Sequence, residues 1–179
     1  MGVKWLRGKK PSDLLDEKQQ EMKTFAVPVI ASRLTDNVED KVVKYTPVGV
    51  EWNPPHAKVQ TPSPAGKLKK SWKKSSAGKM LRGAHVRAVW TDVEYAPYVE
   101  YGTRPHPIRA KDAQALVYYD NGGKQGAKVV QHPGTRPVYM LTRAVSETRQ
   151  RAKFIAEPVL QNWAKGSWAN YRLIKTAPV

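Results

Sequence analysis

The chain lacks cysteine, has few acidic residues and contains no long apolar run. The absence of cysteine excludes disulfides, thiolate metal ligands and cysteine nucleophiles. No stretch approaches the roughly 18 uncharged apolar residues of a membrane span, and the N-terminus lacks the apolar run of a signal peptide. We therefore expect a soluble protein that is not secreted and does not enter a membrane.

The scarcity of acidic residues leaves a strongly basic chain. Thirty-one Lys and Arg face fifteen Asp and Glu in 179 residues, a formal charge of +16. This sign favours a polyanionic partner, which nucleic acid, an anionic membrane or an acidic protein surface could each provide. The apolar share of 40% is typical of a globular domain, so one domain with terminal extensions is expected.

Catalytic signatures are also missing. The sequence contains no phosphate-binding loop, dinucleotide fingerprint or nucleophile elbow. Asp92 and Glu94 come nearest to an acid/base pair, and a structural role suits them better. The four histidines never show a metal-ligand spacing: they are His56, His85, His106 and His132. We predict no enzyme, no metal site and no cofactor.

Apolar periodicity predicts a helix at each end of the chain. The first begins near Ser12, and Pro28 should kink it. Its apolar face comprises Leu15, Met22, Phe25, Val29, Ile30, Leu34, Val38 and Val42. The second carries Val138, Leu141, Val145, Ala152 and Ile155 on one face, and Pro158 should end or bend it.

Alternating apolar residues predict strands between the helices. One strand runs from Val48 to Trp52, and another includes Val86, Ala88 and Trp90. A hairpin should have Leu116 and Tyr118 on one face, a turn at Asn121-Gly122-Gly123, and a return at Val129 and Val130. The chain is therefore expected to be α+β, with an antiparallel sheet between a long N-terminal and a C-terminal helix.

A basic run without any acidic residue precedes the second strand. Its cations are Lys67, Lys69, Lys70, Lys73, Lys74, Lys79 and Arg82. Leu68 and Trp72 would share one helical face within it. Three interpretations stay open, which are a solvated helix, a phosphate contact without base readout, and an electrostatic match to an acidic protein.

The tetrapeptide Gly-Thr-Arg-Pro occurs twice, at 102–105 and 134–137, on either side of the predicted hairpin. Glycine can adopt positive φ and proline blocks ladder pairing, so the two copies indicate paired strand exits.

Three tyrosines, Tyr95, Tyr98 and Tyr101, precede the first copy at three-residue steps. Pro97 among them argues against an interior helical turn and for an edge or a strand start. Glu100 lies among these aromatic residues, where a carboxylate needs a partner. Arg104 or Arg136 could supply a bidentate one, within the subunit or between subunits.

Three segments resemble one protein family. Ala65 to Ser71 is similar to a segment "T/A-G-x-L-x-x-S" of phage morphogenesis proteins known as tail-completion, neck or head-tail joining proteins. Tyr95 to Thr103 resembles the stretch "Y-A-x-Y-V-E-x-G-T" of that family, and 132–137 leads into the last helix as in many members. The resemblance covers 12–156. Tyr139 replaces the usual Phe, and the Pro-rich loop 53–64 is longer than in the family.

This resemblance implies a non-enzymatic virion protein of a long-tailed phage, made in the host cytoplasm and located at the neck. Copies would form a sixfold or twelvefold ring between portal-side or head-completion connector proteins and the tail terminator or tail tube, with DNA passing through. Residues 1–11 and 157–179 would be extensions anchored by Trp5, Trp163 and Trp168.

Competing functions are a nonspecific nucleic-acid-binding protein, a minor capsid or tail component outside the ring, and a hydrolase. The charge favours the first of these, and no residue constellation supports the last.

Overall fold

The computed structural model describes residues 10–48, 65–111, 114–120 and 123–166. Nearly all of the predicted N-terminal arm, with Trp5, lies outside these ranges, as do Trp168 and the predicted strand after Val48. The described chain is α+β, with long helices at both ends and small antiparallel sheets between them, which confirms the expected fold class. None of the described helices combines the length and apolar character that a membrane span requires.

The N-terminal helix has three parts: α1 (Pro11–Glu21), a π-helical turn (Met22–Ala26) and α2 (Val27–Tyr45). The irregularity expected at Pro28 is this π turn, in which the amide of Val27 donates to the carbonyl of Met22. A proline at 28 has no N–H to donate one turn back, and the wider turn before it accommodates that loss. Leu15, at the start of the predicted apolar face, is 71% exposed, so the buried face begins only at the π turn.

The C-terminal helix, α5 (Met140–Ala164), packs antiparallel to α2. Thr46 bonds Met140 near one end of the pair, and Asn37 bonds Thr148 further along. Of the two expected effects of Pro158, an end or a bend, the helix does not show the first, because it continues six residues beyond that position. The predicted boundary between domain and C-terminal extension at 157 therefore falls inside one continuous helix.

The buried face of α5 differs by about one position from the predicted one. Met140, Ala144, Thr148 and Val159 are buried, whereas Val145 is exposed. Small side chains at 144 and 148 allow α5 to approach α2 closely, and a hydrogen bond to Asn37 satisfies the buried Thr148 hydroxyl. Apolar periodicity overlooked this face because one of its members is a threonine.

The short elements between the long helices come in the following order. They are α3 (Lys67–Lys70), β1 (Lys73–Lys74), β2 (Lys79–Leu81), β3 (Ala84–Val86), β4 (Val89–Trp90), α4 (Ala96–Tyr101), β5 (His106–Arg109), β6 (Leu116–Asp120), β7 (Gly123–Ala127) and β8 (Val129–His132). The strands pair antiparallel as β1 with β4, β2 with β3, β5 with β8, and β6 with β7. The predicted strand through Val86, Ala88 and Trp90 is in fact two strands with different partners, so that prediction was wrong.

The strands β5 to β8 form one long two-stranded ribbon. Thr103 pairs with Thr135 at its base, His106 pairs with His132 above it, and Asp120 pairs with Gly123 near the far end. The outgoing strand β6 pairs antiparallel with β7, as a hairpin at this place requires, while Asn121 and Gly122 of the predicted turn lie outside the described residues. The return strand is β7, whereas Val129 and Val130 pair with Arg109 and Ile108 of β5. The two parts of the ribbon adjoin on the returning side, where Lys128 accepts a hydrogen bond from Ala110 and the next residue, Ala127, pairs with Leu116.

The hydrophobic core is small and lies where α2, α3, α4 and α5 meet. Its buried members are Val42, Leu68, Ala96, Met140 and Ala144. Trp72 packs against them, and its indole N–H donates to the hydroxyl of Thr46 at 2.8 Å. Leu68 and Trp72 thus meet the same core as expected, although only Leu68 is helical.

A polar cluster on the α2–α5 interface surrounds Glu147. Its carboxylate accepts hydrogen bonds from Lys41 at 2.5 Å and from the Tyr45 hydroxyl at 2.6 and 2.7 Å, while Arg143 stacks 4.4 Å from the Tyr45 ring centre. The hydrogen bond from Lys41, together with that from Tyr45, lowers the pKa of Glu147. The hydrogen bond between Tyr45 and Glu147 also raises the pKa of Tyr45.

We predict that this cluster makes stability depend on acid pH. The folded-state pKa of Glu147 lies below its ordinary value of 4.5, so the contribution is complete above that value and is lost as pH falls through the folded pKa. Glu147→Gln should lower the urea midpoint at pH 7, and its difference from the wild type should shrink as the pH falls below 4.5. Glu157→Gln, on the same helix, is the control and should behave as wild type; a pH-independent effect of Glu147→Gln would refute the assignment.

Candidate functional site

The segment that bears the three tyrosines is a short helix and not a strand. Pro97 occupies the second position of α4, where its missing N–H costs no hydrogen bond. The expectation of an edge or strand start was therefore wrong, because proline is unfavourable only after the first helical turn. Tyr95, Tyr98 and Tyr101 are exposed, and Glu100 is buried.

Glu100 caps the N-terminus of α5. Its carboxylate accepts hydrogen bonds from the amides of Leu141 and Thr142, each at 2.9 Å, and from the Thr142 hydroxyl at 2.6 Å. The first amides of a helix have no partner within the helix and carry partial positive charge, so a carboxylate is favourable there. This arrangement compensates a charge on a residue that is only 5% exposed.

Within the subunit, the predicted ion pair of Glu100 with Arg104 or Arg136 does not form, and the alternative of a pair between subunits stays a prediction. Neither guanidinium lies within ion-pair distance of Glu100 in the described chain, because the carboxylate points to α5 and both arginines are exposed. The prediction correctly required a partner for the buried carboxylate, but it considered only charged side chains. Because nearly every residue has a backbone amide, the sequence does not indicate which amides will bind a carboxylate.

Backbone bonds also join α4 to the chain that enters α5. The amide of Val138 donates to the carbonyl of Val99, and the amide of Tyr139 donates to the carbonyl of Glu100. Tyr139 adopts φ of 54°, a left-handed conformation that is uncommon for a residue with a side chain. The turn into α5 is thus held from both sides, by the Glu100 side chain and by its carbonyl.

The two Gly-Thr-Arg-Pro copies lie side by side, which confirms that they are paired strand exits. The amide of Thr103 donates to the carbonyl of Thr135 at 3.1 Å, and the reciprocal bond has the same length. Their hydroxyls are 3.1 Å apart. The copies are therefore related by a local twofold axis through this pair.

Both glycines of the repeat are required by the same close approach. Gly102 has φ of 71°, and a Cβ there would lie 2.4 Å from the carbonyl oxygen of Thr135. Gly134 has φ of 84°, and a Cβ there would lie 2.3 Å from the carbonyl oxygen of Thr103. Each glycine thus lets the other copy's backbone approach.

Around this bridge, basic side chains border a groove. The register places Arg104, His106, His132 and Arg136 on the same face, and the two imidazole rings stack with centres 5.1 Å apart. The opposite wall is α4, with Tyr95 and Tyr98. The groove has a volume of about 660 Å³.

The basic run is divided among several elements, so the reading of one solvated helix from 67 to 82 was wrong. Only Lys67, Lys69 and Lys70 are in α3, while Lys79 and Arg82 belong to the hairpin of β2 and β3. Arg82 lies in the turn of that hairpin, with φ of 49°. These five cations form no ion pair with another described residue.

Two lysines of the run are structural. Lys73 pairs with Asp92, and Lys74 bridges Glu39 at 2.6 Å and Asp36 at 2.9 Å. The hydrogen bonds to Glu39 and Asp36 raise the pKa of Lys74 to about 12. Lys74 therefore attaches β1 to α2.

Of the three tryptophans proposed as anchors, only Trp163 lies in the described chain. It is half-buried near the end of α5, and its indole N–H is buried without a hydrogen-bond partner among the described residues. Trp72 was expected only as part of the basic run. It packs against the core, and its indole N–H has a hydrogen-bond partner.

Sequence reasoning also missed the pairing of His106 with His132. The signal was present, because each histidine lies close to a Gly-Thr-Arg-Pro copy and the hairpin between the copies sets their register.

No known protein family, curated sequence or solved structure matches the chain significantly.

The Glu100 cap leads to a prediction about stability. Glu100→Ala should lower the free energy of unfolding by about 2 to 4 kcal/mol, because it removes three charge-assisted hydrogen bonds at a buried helix start. Chemical denaturation measures this loss. Glu94→Ala, an exposed acid just before α4, is the control, and Arg104→Ala should leave stability unchanged. A wild-type midpoint for Glu100→Ala would contradict the cap.

The close approach of Gly102 and Gly134 to the opposite backbone at the Thr103–Thr135 pair, called the glycine bridge below, leads to a second prediction about stability. Gly102→Ala and Gly134→Ala should each destabilise the protein by more than Gly83→Ala. All three positions have positive φ, which costs an alanine about 1 kcal/mol, but Gly83 has open space where the Cβ would lie. Hydrogen exchange at the amides of Thr103 and Thr135 should accelerate in the first two variants only. Equal effects at all three sites would mean that backbone conformation alone matters.

Proposed function

We propose that the chain is a structural subunit of the neck of a long-tailed bacteriophage, where copies form a closed ring that joins the head connector to the tail and lets DNA pass. The proposal is supported by the way in which the three family-like segments meet. Leu68 of the first and Ala96 of the second share the core, while the third leads into the helix that Glu100 caps. The resemblance thus falls on one connected unit and not on scattered loops.

The exposed ribbon supports an oligomeric role. All four residues of β5 are exposed, Val117 of β6 is 57% exposed and Tyr101 of α4 is 67% exposed. A two-stranded ribbon is only marginally stable alone in water and gains stability when an apolar face is covered. Neighbouring subunits in a ring would cover it, and cyclic assembly repeats the same contact around the axis.

The proposed role is mechanical and not catalytic. Several polar residues of the motif region have structural roles: Glu100 caps a helix, and Thr103 and Thr135 bridge two chain segments. Placement in the virion neck, and not elsewhere in the capsid or tail, comes from the resemblance.

Nonspecific nucleic-acid binding is the second candidate. It is favoured by the five cations of the basic run that have no ion-pair partner in the described chain, on α3 and on the β2–β3 hairpin. Such contacts would weaken steeply with salt. A gel-shift titration of the isolated protein at increasing salt tests this function, and it requires no ring.

Oligomer formation tests the first candidate. Native mass spectrometry and negative-stain micrographs of the purified protein should show a closed ring with one defined subunit number. Val117→Asp should shift the population toward monomer, because it places a charge on the exposed apolar ribbon. Gln150→Asp adds the same charge on exposed α5 and should leave the ring intact. A monomer at every concentration, or equal effects of the two variants, would contradict the proposal.

A further inference from the structure

The groove at the base of the ribbon combines apolar walls with two arginines that have no side-chain partner among the described residues. Val99 and Val138 line it together with the rings of Tyr95 and Tyr98. Arg104 and Arg136 border it, and neither guanidinium forms a hydrogen bond or an ion pair with another described side chain. A volume of about 660 Å³ is sufficient for several side chains of a partner.

The repeat fixes the spacing of the two arginines. Around the Thr103–Thr135 bridge, Arg104 lies opposite Gly134, and Arg136 lies opposite Gly102. In a regular antiparallel ladder through this bridge, residues at these two positions are diagonal neighbours on one face, with Cα atoms roughly 7 to 8 Å apart. The residues opposite them in such a ladder are Gly102 and Gly134, which have no side chain that could cover an arginine.

This spacing matches that of an extended acidic peptide. Side chains two residues apart on a strand point to the same side and are separated by roughly 6.5 to 7 Å. Two carboxylates at such positions could each meet one guanidinium as a bidentate pair. A neighbouring apolar side chain would then contact the valines and tyrosine rings of the groove.

The charge of the subunit argues against a second copy as the occupant. At least six of its carboxylates are already held within the subunit: Glu21, Asp36, Glu39, Asp92, Glu100 and Glu147. With a formal charge of +16, another copy offers little acidic surface. Charge complementarity therefore favours a different, acidic protein.

We infer that the groove between α4 and the ribbon base binds an extended acidic and apolar segment of a partner protein, with Arg104 and Arg136 as its two carboxylate receptors. The inference extends the proposed function, on which it rests for the presence of a neighbouring protein. Each Gly-Thr-Arg-Pro copy then has two roles. Its glycine allows the close approach of the two chain segments, and its arginine binds a carboxylate of the partner.

A peptide-binding assay tests the groove on the full chain. The probe is a fluorescein-labelled peptide in which glutamate and phenylalanine alternate, and binding is followed by fluorescence anisotropy. The double variant Arg104→Ala with Arg136→Ala should weaken binding about tenfold or more for each arginine lost. The double variant Arg149→Ala with Arg151→Ala removes the same charge from exposed α5 and should bind nearly as well as wild type.

Two further comparisons sharpen the result. A peptide with glutamine in place of glutamate should bind weakly to all variants, and replacing both arginines by lysine should restore binding only in part, since lysine has no bidentate geometry. Unfolding midpoints of all variants should equal that of the wild type, because the arginines are exposed.

Two outcomes would overturn the inference. Equal losses in the two double variants would mean that only the overall charge attracts the peptide. An oligothymidine of the same charge that competes equally well, and loses affinity equally in the Arg104 and Arg136 variant, would make the groove a polyanion site. Size-exclusion chromatography with light scattering on the same samples reports ring formation separately, so failure of the ring and failure of the groove are distinguishable.

Discussion

The contact on which the rest of the motif region depends is that between the Glu100 carboxylate and the first amides of α5. It connects a six-residue helix, too short to be stable alone, to the longest helix described in the chain. Because α5 is itself packed on α2, the cap places α4 at a defined point of the two-helix frame. The hydrogen bonds of Val138 and Tyr139 to the carbonyls of α4 then set the direction in which the chain enters α5.

The glycine bridge follows from this geometry. Once α4 and the start of α5 are side by side, the residues just after one and just before the other are antiparallel, and they are the two Gly-Thr-Arg-Pro copies. Thr103 and Thr135 can exchange backbone bonds only because Gly102 and Gly134 have no Cβ. The base of the ribbon is therefore held in place by the Thr103–Thr135 pair. The basic side chains around this pair line one groove together with Tyr95 and Tyr98.

The sequence predicted well what depends on period and on local backbone chemistry. Both long helices, the hairpin and the pairing of the glycine repeats could be read from apolar spacing and from glycine and proline. It predicted poorly what depends on backbone partners and on small buried residues. The cap on Glu100 uses amides, which every residue has, and the buried face of α5 includes Ala144 and Thr148, which carry little apolar signal. The basic run is not one helix, because only its first lysines lie in α3, while Lys73 and Lys74 belong to β1 and pair with acidic residues distant in sequence.

The ion pairs of Lys73 and Lys74 reduce the number of cations that could bind a ligand. Lys73 and Lys74 are used to fasten β1, so part of the basic run stabilises the fold and is not available to a ligand. What is left is divided between two places, the cations of α3 and the β2–β3 hairpin on one side and the arginine pair at the ribbon base on the other. All of the first group except Lys69 is exposed, as suits a sequence-independent phosphate backbone. The second borders tyrosines and valines, as suits a peptide. The two proposed partners, DNA and an acidic protein, would therefore bind different surfaces.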